Sequence, residues 1–348
     1  MTHRHPRRRL LALVAGAAAL SVTGCGATGS TTAEGEGSSG CSVFKGETIS
    51  LVVPFSPGGG YDTYARIVAP HLGKELGAEV VVENQDGAGG LLAINSLLGE
   101  KPDGTKIAIM NAVGAGAAAI AKAPGARFDL AKLSYVGRLD ASQHLFVTSS
   151  DSEFKDFDDV IEAKGFRHGS TGPGAADFVN AHMVQRIFDL DAKVITGFEG
   201  SEENALALTK GDIDGMTGDF DSRLPQVKSG DHRPLLIIGA EREKALPDVP
   251  TMLEQDLDDA QLSLAEALID LLKLGRPIVA PPGMPEDRLS CLRDGLRRAL
   301  DRKEAVAELE KAVLPVSWMH GDRYQNLVER VLDSPSSFQR ILKEVYAG

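Results

Sequence analysis

From residue 48 onward the chain alternates short apolar runs with longer stretches whose apolar residues recur at helical spacing. This predicts an α/β body built on mixed, largely parallel sheets flanked by helices. The candidate strands are "TISLVVPF", "AEVVVEN", "TKIAIMN", "LSYVGRL", "HLFVTS", "FRHGST", "KVITGF", "IDGMTGD", "PLLIIGA" and "RPIVAPP". Helical spacing is read near 62–76, 90–99, 156–164, 176–189, 202–210 and 221–228, and the last part, 285–348, is mostly helical. Pro70 falls inside the first helix, where its missing N–H should kink or shorten it. No fixed-period repeat is visible. What recurs is a strand ending in a loop of small residues before a helix: "PFSPGGGYD", "ENQDGAGG" and "GSTGPGAAD". Glycines there let backbone amides converge at a helix N-terminus, where they and the helix dipole favour an anion.

The pattern ahead of this body is different in kind. Arg4, Arg7, Arg8 and Arg9 precede an uninterrupted Leu/Ala/Val stretch, Leu10 to Leu20, which reads as an export signal over 1–24 and is too short for a stable membrane anchor. The stretch ends in "SVTGCG", where small residues lead into Cys25; this resembles a lipobox, with an ordinary secretory cleavage site as the plainer reading. "RRRLL" also loosely fits a twin-arginine signal, so the export route stays open. Residues 25–44 are read as a tether, since "GATGSTTAEGEGSSG" holds nothing that can bury apolar area. A lipid on Cys25 would hold the body at the outer face of the cell membrane.

About 300 residues remain, enough for two lobes rather than one core. Removing the four signal arginines takes the formal net charge from −12 to −16, which argues against a nucleic-acid partner. A backbone-lined pocket can still be locally positive. Cys41 and Cys291 form no zinc or redox spacing; a disulfide between them and a pair of free thiols are both open.

Tests for chemistry return little. No glycine cluster matches a phosphate loop or G-x-G-x-x-G, and there is no G-x-S-x-G or H-E-x-x-H. His144, His168, His182, His232 and His320 are scattered, so neither a catalytic residue nor a metal or cofactor site is assigned. Glycine loops facing each other across a cleft suit a small carboxylate, and binding is the reading that remains.

"VVPFSPGGGYDTYAR", "VVVENQDGAGG", "KPDG", "KGDIDGMTGDFDSRLPQVKSG", "EREKALPDVPTMLEQ" and "APPGMPEDRL" together resemble the tripartite tricarboxylate transporter substrate-binding receptors, the Bug family, from about residue 48 to the end. The resemblance implies a two-lobed, type II periplasmic-binding-protein fold, with lobe 1 over 45–147 plus 273–348 and lobe 2 over 148–272. It implies a small carboxylate held between two pincers. Carried over, the first is Phe55, Ser56, Pro57, Gly58, Gly59, Gly60 and Asp62; the second is Ser170, Thr171, Gly172, Gly174 and Ala175, with Asp219 below as acceptor for a ligand hydroxyl or amine. It further implies a monomer that delivers its ligand to membrane transporter subunits without transforming it. Ala175 stands where the family commonly has a hydroxyl, which predicts a more apolar pocket, and the usual Trp-Gly before "APPGMP" is missing. The rival readings are a receptor presenting its ligand to a membrane sensor kinase and an α/β enzyme using Asp62 or Asp219 as base.

Overall fold

The computed structural model describes residues 41–347; the export signal, Cys25 and the tether up to residue 40 lie outside them. The tether anticipated to residue 44 gives way earlier to a structured turn at Ser42–Phe44. Phe44 is fully buried there, with the Arg288 guanidinium 4.6 Å from its ring centroid. Cys41 and Cys291 are joined as a disulfide, their Cα atoms 5.5 Å apart, within the span such a bond requires.

Chain order runs β1 (Thr48–Val53), α1 (Gly60–Leu76), β2 (Glu79–Asn84), α2 (Leu91–Ser96), β3 (Lys106–Ile109), α3 (Ala112–Ala121) and β4 (Ser134–Asp140). It continues with β5 (His144–Ser149), α4 (Phe157–Glu162), β6 (Phe166–Ser170), α5 (Ala176–Phe188), β7 (Ala192–Thr196), α6 (Ser201–Lys210), β8 (Gly215–Asp219), α7 (Phe220–Ser229) and β9 (His232–Ile238). The last part is α8 (Asp259–Leu272), β10 (Arg276–Ala280), α9 (Glu286–Asp301), α10 (Lys303–Lys311), β11 (Met319–His320), α11 (Gly321–Leu332) and α12 (Ser336–Ala347).

Two sheets result, ordered β11-β4-β10-β3-β1-β2 and β7-β6-β8-β5-β9, and each is the base of one lobe. Apart from the short β11 edge they share one plan. Three parallel strands wound as βαβαβ (β2-β1-β3 and β7-β6-β8) are followed by an antiparallel strand that arrives from the other lobe's side of the chain, β10 in one and β5 in the other. The crossovers at 141–143 and 273–275 deliver those two strands. β5 pairs throughout with β8 and β9, so the strand spans the lobe edge anticipated at 147/148.

Helix α1 is not shortened by Pro70: it runs seventeen residues to a left-handed Gly77 cap. Burial of Tyr64, Val68 and Leu72 on its inner face outweighs the one backbone bond that proline forgoes. Two helices absent from the periodicity reading appear, α3 and α8. The first, "AVGAGAAAIA", is apolar on every side and shows no stripe because every side is covered, by α5, α8 and α12. The second opens with a capping box, Asp258 accepting from the Gln261 amide at 2.8 Å while the Gln261 side chain accepts from the Asp258 amide at 2.8 Å.

Candidate functional site

The loops at the carboxyl ends of β1, β3, β6 and β8 all face one cleft between the sheets, the position where open α/β sheets with this strand order hold ligands. Five helices begin there. Gly59 and Gly60 start α1, Asn111 caps α3, Ala175 and Ala176 start α5, Gly200 and Ser201 start α6, and Asp219 precedes α7. Each turns the positive end of its helix dipole toward the cleft, which favours an anion there, although in α3 Ala112 already donates to the Gly275 carbonyl and Gly114 to the Asn111 side chain, and in α7 Phe220 donates to the Gln143 carbonyl.

Of the residues expected at the pincers, Phe55, Ser56, Gly59, Gly60, Thr171, Ala175 and Asp219 line this cleft. Pro57, Gly58, Asp62, Ser170, Gly172 and Gly174 do not. Asp62 is turned into its own loop, where its carboxylate accepts from the Gly58 amide at 3.0 Å, Arg66 Nε at 2.9 Å and Asn84 Nδ2 at 2.9 Å. Burial alone would raise its pKa; these donors hold it below its ordinary value. Asp62 therefore fixes the loop, and Gly58, at φ +100°, supplies the turn that lets its amide reach back.

Gly172 and Gly174 meet the other lobe instead. The Gly174 amide donates to the Ala88 carbonyl at 3.0 Å, and a β-carbon at Gly89 would lie 2.6 Å from both the Gly172 oxygen and the Ala175 nitrogen. A β-carbon at Gly114 would land on the Gly174 carbonyl oxygen and the Ala175 backbone carbon. The glycines of "DGAGG" and "GPGAA" thus let two backbones touch across the lobes. Ser170 is a buried donor to Asp177 at 3.1 Å, with the Thr171 amide and hydroxyl each adding a bond at 3.0 Å.

Several functional groups had no signal in the local pattern. Asn111, His144, Asp177, Ser201, Glu202, Thr217, Ser222 and Arg223 also line the cleft, which adds polar side chains around Ala175. Ser222 Oγ would lie 2.5 Å from a β-carbon at Gly60, which brings the first loop directly onto the start of α7. Behind the cleft wall, Arg276 on β10 makes a bidentate pair with Asp221 at 2.8 and 2.9 Å and reaches Asp219 at 2.9 Å. Its guanidinium also lies over the Tyr61 and Tyr64 rings, at 4.9 and 5.1 Å. The other Asp219 oxygen accepts from His144 Nε2 at 3.1 Å, while Asn180 holds His144 Nδ1 at 2.6 Å. Asp219 was expected to accept from a ligand, yet both its oxygens already serve protein partners. Burial would raise its pKa, but Arg276 and then His144 hold it far below the carboxylate range.

Arg223 is the contrasting case. It is fully buried at the first turn of α7, yet its Nε and Nη2 have no hydrogen-bond partner. Nη1 has only the Met216 sulfur at 3.9 Å, and Glu202, half exposed, stands 3.6 Å from Nη2.

Asp177 gives the cleft a titration near neutrality. Burial pushes its carboxyl up to about 6 against the bonds from Thr171 and Ser170. The folded chain then keeps a proton that the unfolded chain releases near 3.8, so stability should fall as pH rises from about 4 to 6 and level off above. The loss is on the order of 2–3 kcal/mol. Asp177→Asn should flatten that segment of a urea-midpoint-versus-pH curve; an unchanged slope would count against the assignment.

The sequence profile described as "Tripartite tricarboxylate transporter family receptor" matches residues 64–345. A UPF0065 protein of Agrobacterium vitis is 28% identical over 230 residues, covering 65% of this chain and 66% of its own length. Protein BugT of Bordetella pertussis is 27% identical over 224 residues, covering 61% and 66%. The chain thus spans just under two thirds of the length of these two relatives. Among solved structures, MatC from Rhodopseudomonas palustris with bound malate superposes with a TM-score of 0.71 at 25% identity, covering 85% of this chain and 99% of that one. The periplasmic binding protein BugD gives 0.73 at 20% identity, covering 86% and 97%, and supports the fold alone. With a profile match over most of its length, this chain belongs to the tripartite tricarboxylate transporter receptor family.

Proposed function

We propose that this protein is an extracytoplasmic solute receptor that closes its lobes on a small organic carboxylate and presents the closed form to a membrane transporter. The observation that carries the reading is the convergence of five helix N-termini, drawn from both lobes, on a single cleft. A carboxylate placed there collects amide hydrogen bonds from two rigid bodies at once, so its binding energy selects the closed arrangement rather than driving a reaction. The malate bound by MatC, a structural relative at 25% identity, supports the same ligand class here. The site residues of this proposal are Ser56, Gly59, Gly60, Thr171, Ala175, Ser201 and Ser222. An export signal with lipidated Cys25 would place the receptor at the outer face of the membrane.

The test is a melting series of residues 41–348 with mono-, di- and tricarboxylates, each mixture then assayed by NMR for intact ligand. A ligand present at a hundred times its Kd should stabilise by about 2.7 kcal/mol. No shift with any acid would end the carboxylate reading, and disappearance of the acid would make the protein an enzyme.

A further inference from the structure

Resting on the carboxylate reading above, we propose that Arg223 is the specificity-determining cation of the cleft, selecting ligands that carry a second anionic group at the α6/α7 end. Two arginines are buried at this site and they differ in one respect. Arg276 makes three bonds at 2.8–2.9 Å to the carboxylates of Asp219 and Asp221, with only its Nε left unbonded. Arg223 is 0% exposed and has no carboxylate within hydrogen-bond distance. A guanidinium has five N–H donors, and a buried cation without partners is costly enough that proteins rarely retain one.

Its nearest acid does not meet that need. Glu202 lies 3.6 Å from Nη2, outside bonding geometry, and its side chain is 53% exposed, so water competes for it. The other acids on the cleft are committed: Asp219 to Arg276 and His144, Asp177 to Ser170 and Thr171. The Arg223 stem is seated where a side chain at Gly218 would otherwise be, with a β-carbon there 3.1 Å from Nε. Ser201 and Ser222, at the starts of α6 and α7, stand beside it on the cleft wall and can complete the coordination of an anion. A ligand whose first carboxylate sits on the α1 and α5 amides would place its second group here, displacing Glu202.

The experiment is isothermal titration with malate and succinate against 3-hydroxybutyrate and butyrate, acids of the same carbon number with one charge fewer. The unaltered protein should prefer the dicarboxylates by about 100-fold, the factor one additional charge-assisted hydrogen bond supplies. Arg223→Met should erase that preference and leave the monoacids within about threefold, a span far short of losing any such bond. Arg223→Lys should keep part of it. Glu202→Gln, on an exposed side chain, frees Arg223 and should tighten malate several-fold, by clearly more than it tightens butyrate; this variant reads the proposal even if Arg223→Met does not fold. Unchanged malate affinity in Glu202→Gln, equal binding of mono- and diacids by the unaltered protein, or a matched loss of both in Arg223→Met would overturn the role of Arg223 while leaving the carboxylate site standing. Failure of all four acids to bind would overturn the carboxylate reading itself.

Discussion

Replacing Arg276 by Met is expected to cost about 3–5 kcal/mol of folding stability, because it strands two buried carboxylates that now share one cation. In a chain of this size that is a drop in Tm of roughly 6–15 °C. Asp221 has almost no exposure and Asp219 little, so neither can turn to water. The effect has a pH signature. In the intact protein Asp219 is held well below its ordinary pKa, so its contribution is present above the unfolded value near 3.8 and is lost as pH falls below it. Without Arg276 only His144 still opposes burial at this carboxyl, its pKa rises, and the variant is worst at neutral pH. The gap between the two proteins should therefore narrow as pH falls toward 4. Converting Asp219 and Asp221 to Asn alongside Arg276→Met should recover most of the loss, since no unpaired charge then remains buried. A single variant within about 1 kcal/mol of the parent in urea melts would contradict this account.

Gly114→Val should leave lobe 1 folded and disable the cleft. Valine costs a helix interior no more than glycine does, so α3 itself should persist. Its added carbons, however, enter the space of the Gly174 carbonyl and Ala175, on the opposite lobe. Both are backbone atoms at the start of α5 and cannot be displaced by rotating a side chain. The lobes would have to part locally, at a cost of about 1–3 kcal/mol drawn from the ligand's binding energy, so malate affinity should fall by about tenfold or more. Small-angle scattering in the presence of malate should show a larger radius of gyration than for the unaltered protein. Gly114→Ala, lacking the branched carbons, should lie between. Unaltered affinity and radius in the valine variant would mean that contact between 88–89 and 172–175 is not part of the bound state.

These two residues also mark the limit of what local pattern reveals. Arg276 stands in "LGRPIV" and Arg223 in "DSRLPQ", contexts that read as a strand edge and a solvated helix face. Gly114 sits in an Ala/Gly run without periodicity, and the helix it belongs to was not legible for that reason. Asp62 was legible as an acid following three glycines, but its role was misjudged: its carboxylate secures the turn that presents the amides and does not face the ligand space.

Most of the strands and helices, the α/β class and the glycine-rich loops after β1 and β6 were readable from the order of residues, while the family was read from a set of ordered motifs. Such features depend on side-chain periodicity and backbone freedom within about ten residues, so they are written locally. It took the folded chain to establish which glycines line the cleft and which join the lobes, which acid is satisfied, and which buried arginine lacks a hydrogen-bonded carboxylate. Those outcomes depend on β5 and β10 crossing between sheets, which brings Asp219 and Asp221 of one lobe against Arg276 of the other across 55 or more residues of chain. Pairing over that separation is set by how the layers stack, and no stretch of neighbouring residues carries it.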